Sequence, residues 1–440
     1  MPDVSCQPRN SYSSSTTCHA RQSRSNNRQL PLAMKIRFFD AEEYFLLISD
    51  FSISRIPRIE FGPGALARLP ATARRYGTNA LIVTGSRSFQ RSANWSALVA
   101  GLEAAGMSFQ TFSVSDEPSP ELIDAAVQAM RPHQIDVVIG IGGGSALDAA
   151  KAIAGLLKPG NSVMDHLEGV GPELPYHGPS TPFIAVPTTA GTGSEATRNA
   201  VLSVRGENGF KKSFRDEKLV AEYALVDPDL LATCPPQVIA ANGMDALTQL
   251  LESYVSSRST PLTDSLAWGG MKAARDGLLA FHASAEDAEA RSRMAYAALI
   301  SGITLAQVGL GSVHGLAAPL GAFFPIPHGA ACGTLIAEAT RMNIDAMRRR
   351  DAQNRALEKY ALVGRLLSKR ACPQQAEAHA TLLEILDDWT QALDLPGLGH
   401  FGVTRADIPR VVNHCRGSSM KTNPIVLEDG EIAALLEARL

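Results

Sequence analysis

Between about residue 51 and residue 230, short apolar runs alternate with stretches of helical periodicity: ALIVTG (80–85), SFQTFSV (108–114), IDVVIGIGGGS (135–145) and TPFIAVPTT (181–189). A run such as VVIGI is too short for a buried helix and apolar at successive positions. It therefore needs apolar surroundings on both faces, as a parallel strand covered on both sides does. The pattern predicts an α/β half built on a doubly wound sheet. Beyond CPPQ (234–237) the texture changes: 3.6-residue periodicity takes over, as in QVIAANGMDALTQLLESYV (237–255) and RMAYAALISGITLAQVG (293–309), and strand-like runs become few. An all-helical second half is expected. Pro235 and Pro236 can continue neither a ladder nor a helix interior, so they mark the boundary. This divides the chain into an extension over 1–50, an α/β domain over 51–233 and a helical domain over 234–440.

The first 33 residues, with SYSSSTTCHARQSRSNNRQ at their centre, are rich in Ser and Arg and nearly free of acids. They cannot bury enough apolar surface to order themselves, and Met34 is an alternative start. Over all 440 residues, 45% hydrophobic and 19% charged composition is that of a globular chain long enough for two or three domains. A formal net charge of −3 provides no basic field for nucleic acid or anionic membrane, and no run of about 20 apolar residues reads as a span. A small molecule is the expected partner. Six cysteines without CxxC spacing argue against a disulfide framework and a thiolate zinc site, and point to a reducing, cytoplasmic setting.

Two loops carry candidate nucleotide chemistry. GIGGGSALDAAK (140–151) places Gly142, Gly143 and Gly144 directly after a strand and before a helix, which frees backbone N–H groups for a diphosphate with the positive end of a helix behind them. It is not the GxGxxG spacing, and glycines also serve tight turns that touch no ligand. PTTAGTGSEAT (187–197) follows another strand and brings hydroxyls at Thr188, Thr189, Thr192, Ser194 and Thr197, any one of which is also a plausible helix cap. Together the loops favour a nucleotide.

Metal chemistry enters with GMDALTQLLESY (243–254) and GSVHGLAAPLGAFFPIPHG (311–329). Asp245 and Gln249 stand four apart and share a helix face. His314 and His328 are too far apart for one helical turn, but the glycines and prolines between them let the chain return. A carboxylate with two imidazoles suits divalent iron or zinc, though any single histidine is as well read as structural.

Taken in order and separation, GGGSALDAAK, PTTAGTGSEAT, GMDALTQLLESY and HGLAAPLGAFFPIPHG resemble the iron-containing (group III) alcohol dehydrogenases over about residues 55 to 430. The resemblance implies a dehydroquinate synthase-like architecture: a dinucleotide domain over 51–233, a metal- and substrate-binding helical domain over 234–440, a cleft between them, and a homodimer. It carries the metal, Fe2+ or Zn2+, to Asp245, Gln249, His314 and His328. At the second of these places the family usually has histidine, so the amide of Gln249 predicts weaker binding or a shifted metal preference. Four residues after His314, where many members have a further histidine, this chain has Ala318, and a proton relay through that place is absent.

For the cofactor, the resemblance carries Gly143, Gly144, Ser145 and Asp148 to the diphosphate loop and Thr188, Thr189, Thr192 and Thr197 to the threonine-rich loop. Lys211 matches a lysine near the nucleotide, with a plain surface lysine beside Lys212 as the other reading. In VTGSRSF (83–89), Gly85 and Ser86 stand where NAD-preferring members often have an acid, which leaves both NAD and NADP open. The implied reaction is the interconversion of a small alcohol and its aldehyde or ketone by hydride transfer, and no side chain is singled out as a general base. The rivals are a metal-independent reductase like maleylacetate reductase, for whose acid substrate Arg198 and Lys272 are cationic candidates by type, a dehydroquinate synthase-like lyase, and a non-catalytic nucleotide-binding relative.

Overall fold

A computed structural model describes residues 50–86 and 88–440. The extension with Cys6, Cys18 and Met34, and Arg87 beside Ser86, lie outside the described residues. Six strands form one parallel sheet in the order β1-β8-β5-β4-β2-β3. They are β1 (Arg58–Phe61), β2 (Asn79–Gly85), β3 (Ser108–Val114), β4 (Val137–Gly142), β5 (Phe183–Pro187) and β8 (Tyr223–Val226). β6 (Asn199–Val204) and β7 (Phe210–Arg215) pair antiparallel in a separate hairpin, which the hydrophobic pattern did not announce.

The sheet is doubly covered because its strands alternate. Leu81 and Val83 of β2, Val138 of β4 and Phe183 and Ala185 of β5 enter one apolar cluster. Ala80 and Ile82, Ile139 and Ile141, and Ile184 and Val186 enter the other. The second face is closed by α1 (Leu69–Ala73) and α2 (Ala93–Ala104), the first by α3 (Pro120–Met130) and α4 (Gly144–Leu156). β4 is buried at every position, whereas β3 is an edge strand and mostly exposed. At Gly140 and Gly142 a Cβ would stand 2.8 Å from the Ala150 Cβ and 2.6 Å from the Ala146 Cβ, so α4 packs directly on the backbone of β4.

Between β2 and β4 the strand order reverses, since β3 lies to one side of β2 and β4, β5 and β8 follow on the other. That is the switch point at which open α/β sheets bind ligands beyond the carboxyl ends of their strands. The ends of β2, β4 and β5 carry Gly85, the triple glycine and the threonine loop.

From Pro236 onward the described residues hold helices and turns only. They form α5 (Pro236–Val255), α6 (Pro261–Ala283), α7 (Ala288–Val308), α8 (Ser312–Phe323), α9 (His328–Arg350), α10 (Arg355–Ser368), α11 (Gln375–Ala392), α12 (Ile408–His414) and α13 (Asp429–Glu437). Pro236 does not merely interrupt: it opens α5 at the first helical position, where the missing N–H costs nothing. α6 begins likewise at Pro261, behind a reciprocal Thr260/Thr263 cap. Among the described residues no single helix is long and apolar enough to cross a membrane.

Candidate functional site

The two glycine- and threonine-rich loops meet. A Cβ on Gly143 would lie 3.2 Å from the Thr189 Oγ1, and one on Gly144 would lie 2.7 Å from the Thr192 Cγ2. The Thr188 amide donates to the Gly142 carbonyl at 2.9 Å. Beneath this junction Lys151 is wholly buried and donates to the Ser194 carbonyl and hydroxyl, the Thr197 hydroxyl and the Asn199 carbonyl at 2.6 to 3.0 Å. The Ser194 hydroxyl in turn donates to Asp148 at 2.5 Å. Burial pulls Lys151 down to about 8, with Asp148 and Glu195 opposing it, so the ammonium persists at neutral pH. Lys151 thus pins the threonine loop to α4, and Thr197 and Asp148 serve this scaffold. Gly144, Ser145 and Thr192 face the cavity beside it. A Cβ at Gly85 would meet nothing within 4 Å, and Ser86 next to it is exposed.

That cavity measures about 1340 Å³ and runs from the loops to α5, α8 and α9, more than a single small ligand fills. Lys211 projects into it from β7. Its side chain is 10% exposed and pairs with Glu117 at 2.5 Å, which is not the setting of a plain surface lysine. Arg198 pairs with Glu217, Lys272 is exposed, and neither lines the cavity, so the structure does not support them as partners of a substrate acid. Arg205, Lys212, Arg215, Arg416 and Lys421 supply its positive lining instead.

At the helical end, Asp245 from α5, His314 from α8 and His328 and Cys332 from α9 converge, their ligand atoms all within 4.8 Å of one another. The chain returns as the glycines and prolines of 311–329 require: α8 ends at Phe323, a turn through Pro325 and Pro327 follows, and His328 opens α9. The His314 Nε2 stands 3.2 Å and the His328 Nε2 3.8 Å from the Asp245 Oδ1. The Cys332 Sγ stands 3.6 Å and 3.8 Å from the same two nitrogens. Behind them Glu252 accepts from the His314 Nδ1 at 2.7 Å and from the Val313 amide at 2.7 Å, fixing the ring so that Nε2 faces the cluster.

Burial by itself would raise the Asp245 carboxyl, but His328 and His314 outweigh it and hold it at about 2. Burial, then the charge of Lys211, push His328 down to about 4, leaving its imidazole neutral at pH 7. His314 is the opposite case: burial disfavours its charge, yet Cys332, Asp245 and Glu252 hold it well above the ordinary histidine range. His314 is thus the positive partner of the Asp245 carboxylate, and His328 the neutral one. The Asp245 Oδ2 is buried without a hydrogen-bond partner, an orphan that a cation would satisfy. This donor set fits a divalent metal.

Gln249 lies one turn after Asp245 and lines the same cavity, but its Oε1 accepts from the Ser301 hydroxyl of α7 at 2.7 Å. Ala318 also lines the cavity. Sequence reasoning missed Cys332, Glu252 and Lys151. The four-residue step from His328 to Cys332 is the spacing that drew notice to Asp245 and Gln249, Glu252 stands two turns after Asp245, and Lys151 closes the glycine motif. Neither His166 nor His177 lines this cavity: His166 bonds the Leu174 carbonyl at 2.8 Å and stacks on Phe214. Cys415, beside the exposed His414, is buried and donates to the Val412 carbonyl.

Comparison with known proteins covers both halves of the chain. Residues 57–228 match the model of the iron-containing alcohol dehydrogenases, and residues 239–440 match that of the C-terminal part of the Fe-containing alcohol dehydrogenase family. The long-chain-alcohol dehydrogenase 1 of Geobacillus thermodenitrificans is 31% identical over 394 residues, which cover 88% of this chain and 97% of that one. The NAD-dependent methanol dehydrogenase of Bacillus methanolicus is 30% identical over 390 residues, covering 87% and 98%. The crystal structure of an iron-containing alcohol dehydrogenase from Thermotoga maritima superposes with a TM-score of 0.75 at 27% identity, covering 89% of this chain and 99% of that one. Matched by these two models over both halves, this chain belongs to the iron-containing alcohol dehydrogenase family.

Proposed function

We propose that the cavity takes NAD or NADP along Gly85, Ser86, Gly143, Gly144, Ser145 and Thr192 and a divalent metal at Asp245, His314 and His328. Thr188, Thr189, Thr197, Asp148 and Lys211 shape the nucleotide end. As a member of its family the chain is an oxidoreductase that interconverts alcohols and their carbonyl compounds. One observation carries the reading: a single continuous cavity is lined by Gly144, Ser145 and Thr192 at one end and by Asp245, His314 and His328 at the other. A reacting carbon held between them is near both the cofactor and the donors, and positioning of this kind is the protein's main contribution to hydride transfer.

Iron or zinc, when bound, acts as a Lewis acid toward the substrate oxygen. A nicotinamide cofactor held along Gly144, Ser145 and Thr192 would supply the hydride donor or acceptor. The side chains do the rest. Glu252 accepts from the Nδ1–H of His314, so that Nε2 is the nitrogen facing Asp245 and the one that would release its proton to hold a metal. Asp245 stays ionised, and His328 stays neutral through burial and the neighbouring Lys211. Ala318 leaves no titratable group at its point on the wall, consistent with the absence of an obvious general base.

We further propose that the α/β and helical domains divide at about residue 234, and that the protein acts as a homodimer in the cytoplasm. The edge of the sheet supports dimerisation: Phe51, Ile53 and Ile56 in the approach to β1, and Phe61 at its end, are exposed by 39% to 44%. Light scattering on the purified protein measures the assembly directly.

The test of function is removal and return of metal. Chelated protein should lose aldehyde reduction with NADPH or NADH and recover it with Fe2+ or Zn2+, and Asp245→Ala should lose metal-dependent turnover by more than 100-fold, on the order expected when the principal charged donor goes. Nucleotide binding, read by NADPH fluorescence, should stay near normal in that variant. Equal loss of both would mean that the two ends of the cavity are not separate sites.

A further inference from the structure

We propose that Cys332 is the fourth protein donor to the metal, its thiolate standing where the family resemblance would put Gln249. This rests on the reading that Asp245, His314 and His328 hold a divalent ion, and it names the remaining corner of that site. A tetrahedral zinc with bonds of about 2.0–2.1 Å to N and O and about 2.3 Å to S needs N···O edges of about 3.3 Å and N···S edges of about 3.6 Å. The N···O separations here are 3.2 and 3.8 Å. The N···S separations are 3.6 and 3.8 Å. Asp245, His314, His328 and Cys332 already stand close to the corners of such a tetrahedron.

Gln249 is engaged elsewhere. Its Oε1 accepts from the Ser301 hydroxyl at 2.7 Å, which takes one of that oxygen's two lone pairs and ties the side chain toward α7. The Cys332 Sγ, by contrast, has the two ligand nitrogens as its hydrogen-bonding neighbours. Cys332 is fully buried, so no solvent contact is lost when sulfur binds, and the unpartnered Asp245 Oδ2 points to a cation on the same spot. His328 and Cys332, four residues apart near the start of one helix, reach the ion from one face. On binding, the S–H bond breaks heterolytically, the electron pair stays on sulfur and forms the metal–sulfur bond, and the proton leaves to buffer. No electron is transferred. A thiolate corner is softer than an amide oxygen and favours zinc over iron.

Cobalt(II) reports the donor set independently of activity, because a bound thiolate gives an intense charge-transfer band in the near ultraviolet. The full chain, stripped of metal and titrated with Co2+ without oxygen, should develop that band to an end point of one equivalent. Cys332→Ser should bind Co2+ roughly tenfold or more weakly and without the band. Gln249→Ala, which leaves the cluster's four side chains in place, should keep both stoichiometry and band, so the assignment does not hang on the folding of one variant. One equivalent of Co2+ without the band in the unaltered protein overturns the thiolate and leaves the metal reading standing. Persistence of the band in Cys332→Ser, or loss of cobalt in Gln249→Ala, also overturns it. No cobalt bound at all sinks the metal reading, and the thiolate with it.

Discussion

Glu195 sits in the threonine loop, 3% exposed, within the field of the Lys151 ammonium. Burial raises its carboxyl to about 7, well above the ordinary 4.5, and the charge of Lys151 offsets only part of that. A group whose folded value is raised stabilises the fold fully below its unfolded value, and that contribution is lost as pH climbs through the folded one. The window therefore runs from about pH 4.5 to about pH 7, and 2.5 pH units correspond to roughly 3 kcal/mol. Relative to Glu195→Gln, the unaltered protein should lose stability steadily between about pH 4.5 and about pH 7 in urea titrations and then level off. Parallel curves would mean that the carboxylate is solvated. Nothing in TGSE announces this, because a glutamate after a serine reads as the polar start of a helix, and only the packing of α4 beneath it makes the site dry.

At the scale of elements, the order of the strands places the ends of β2 and β4 side by side, and the proposed nucleotide reading puts cofactor preference there. Gly85 closes β2 with open space where its Cβ would be. An aspartate there is accommodated without strain, and its charge opposes a 2′-phosphate while it can accept from ribose hydroxyls. Gly85→Asp should lower kcat/KM for NADPH at least tenfold relative to NADH, a shift of about 1.4 kcal/mol. Steady-state rates with both cofactors check it, and an unchanged ratio would move the ribose away from this strand end. The strands that frame the switch point were legible because they are short and apolar at successive positions, and α5 because its apolar periodicity is long. The β6–β7 hairpin was not: its FKKSFR strand is mostly half-buried rather than alternating, and it is held by the cavity wall as much as by its own pattern. Asp245, His314 and His328 could be picked out by residue type. Cys332 could not, because an isolated cysteine in a helix looks like core until the turn from α8 to α9 brings it against two histidines.

Across the whole molecule, the loop after β5 and helix α7 touch backbone to backbone. A Cβ on Gly302 would lie 2.1 Å from the Gly193 carbonyl oxygen, and one on Gly193, whose φ is +61°, would lie 2.4 Å from the Gly302 Cα. Both residues are buried. Ser301, which donates to Gln249, is the neighbour of this contact, so one point of approach ties the threonine loop to α7 and, through Gln249, to α5 with Asp245. Gly302→Ala should destabilise by about 1–3 kcal/mol, the range for an overpacked core, and should weaken NADPH binding as the loop is pushed off its seat. Gly269→Ala on α6, whose added methyl comes no nearer than 3.5 Å to the Tyr296 hydroxyl, should cost nothing. Equal effects in the two variants would show that the helices yield at the contact. Gly302 does not line the cavity, yet its surroundings admit a single letter of the amino-acid alphabet. A survey of which substitutions the chain tolerates would rank it beside Asp245, and intolerance at that position would record geometry rather than chemistry.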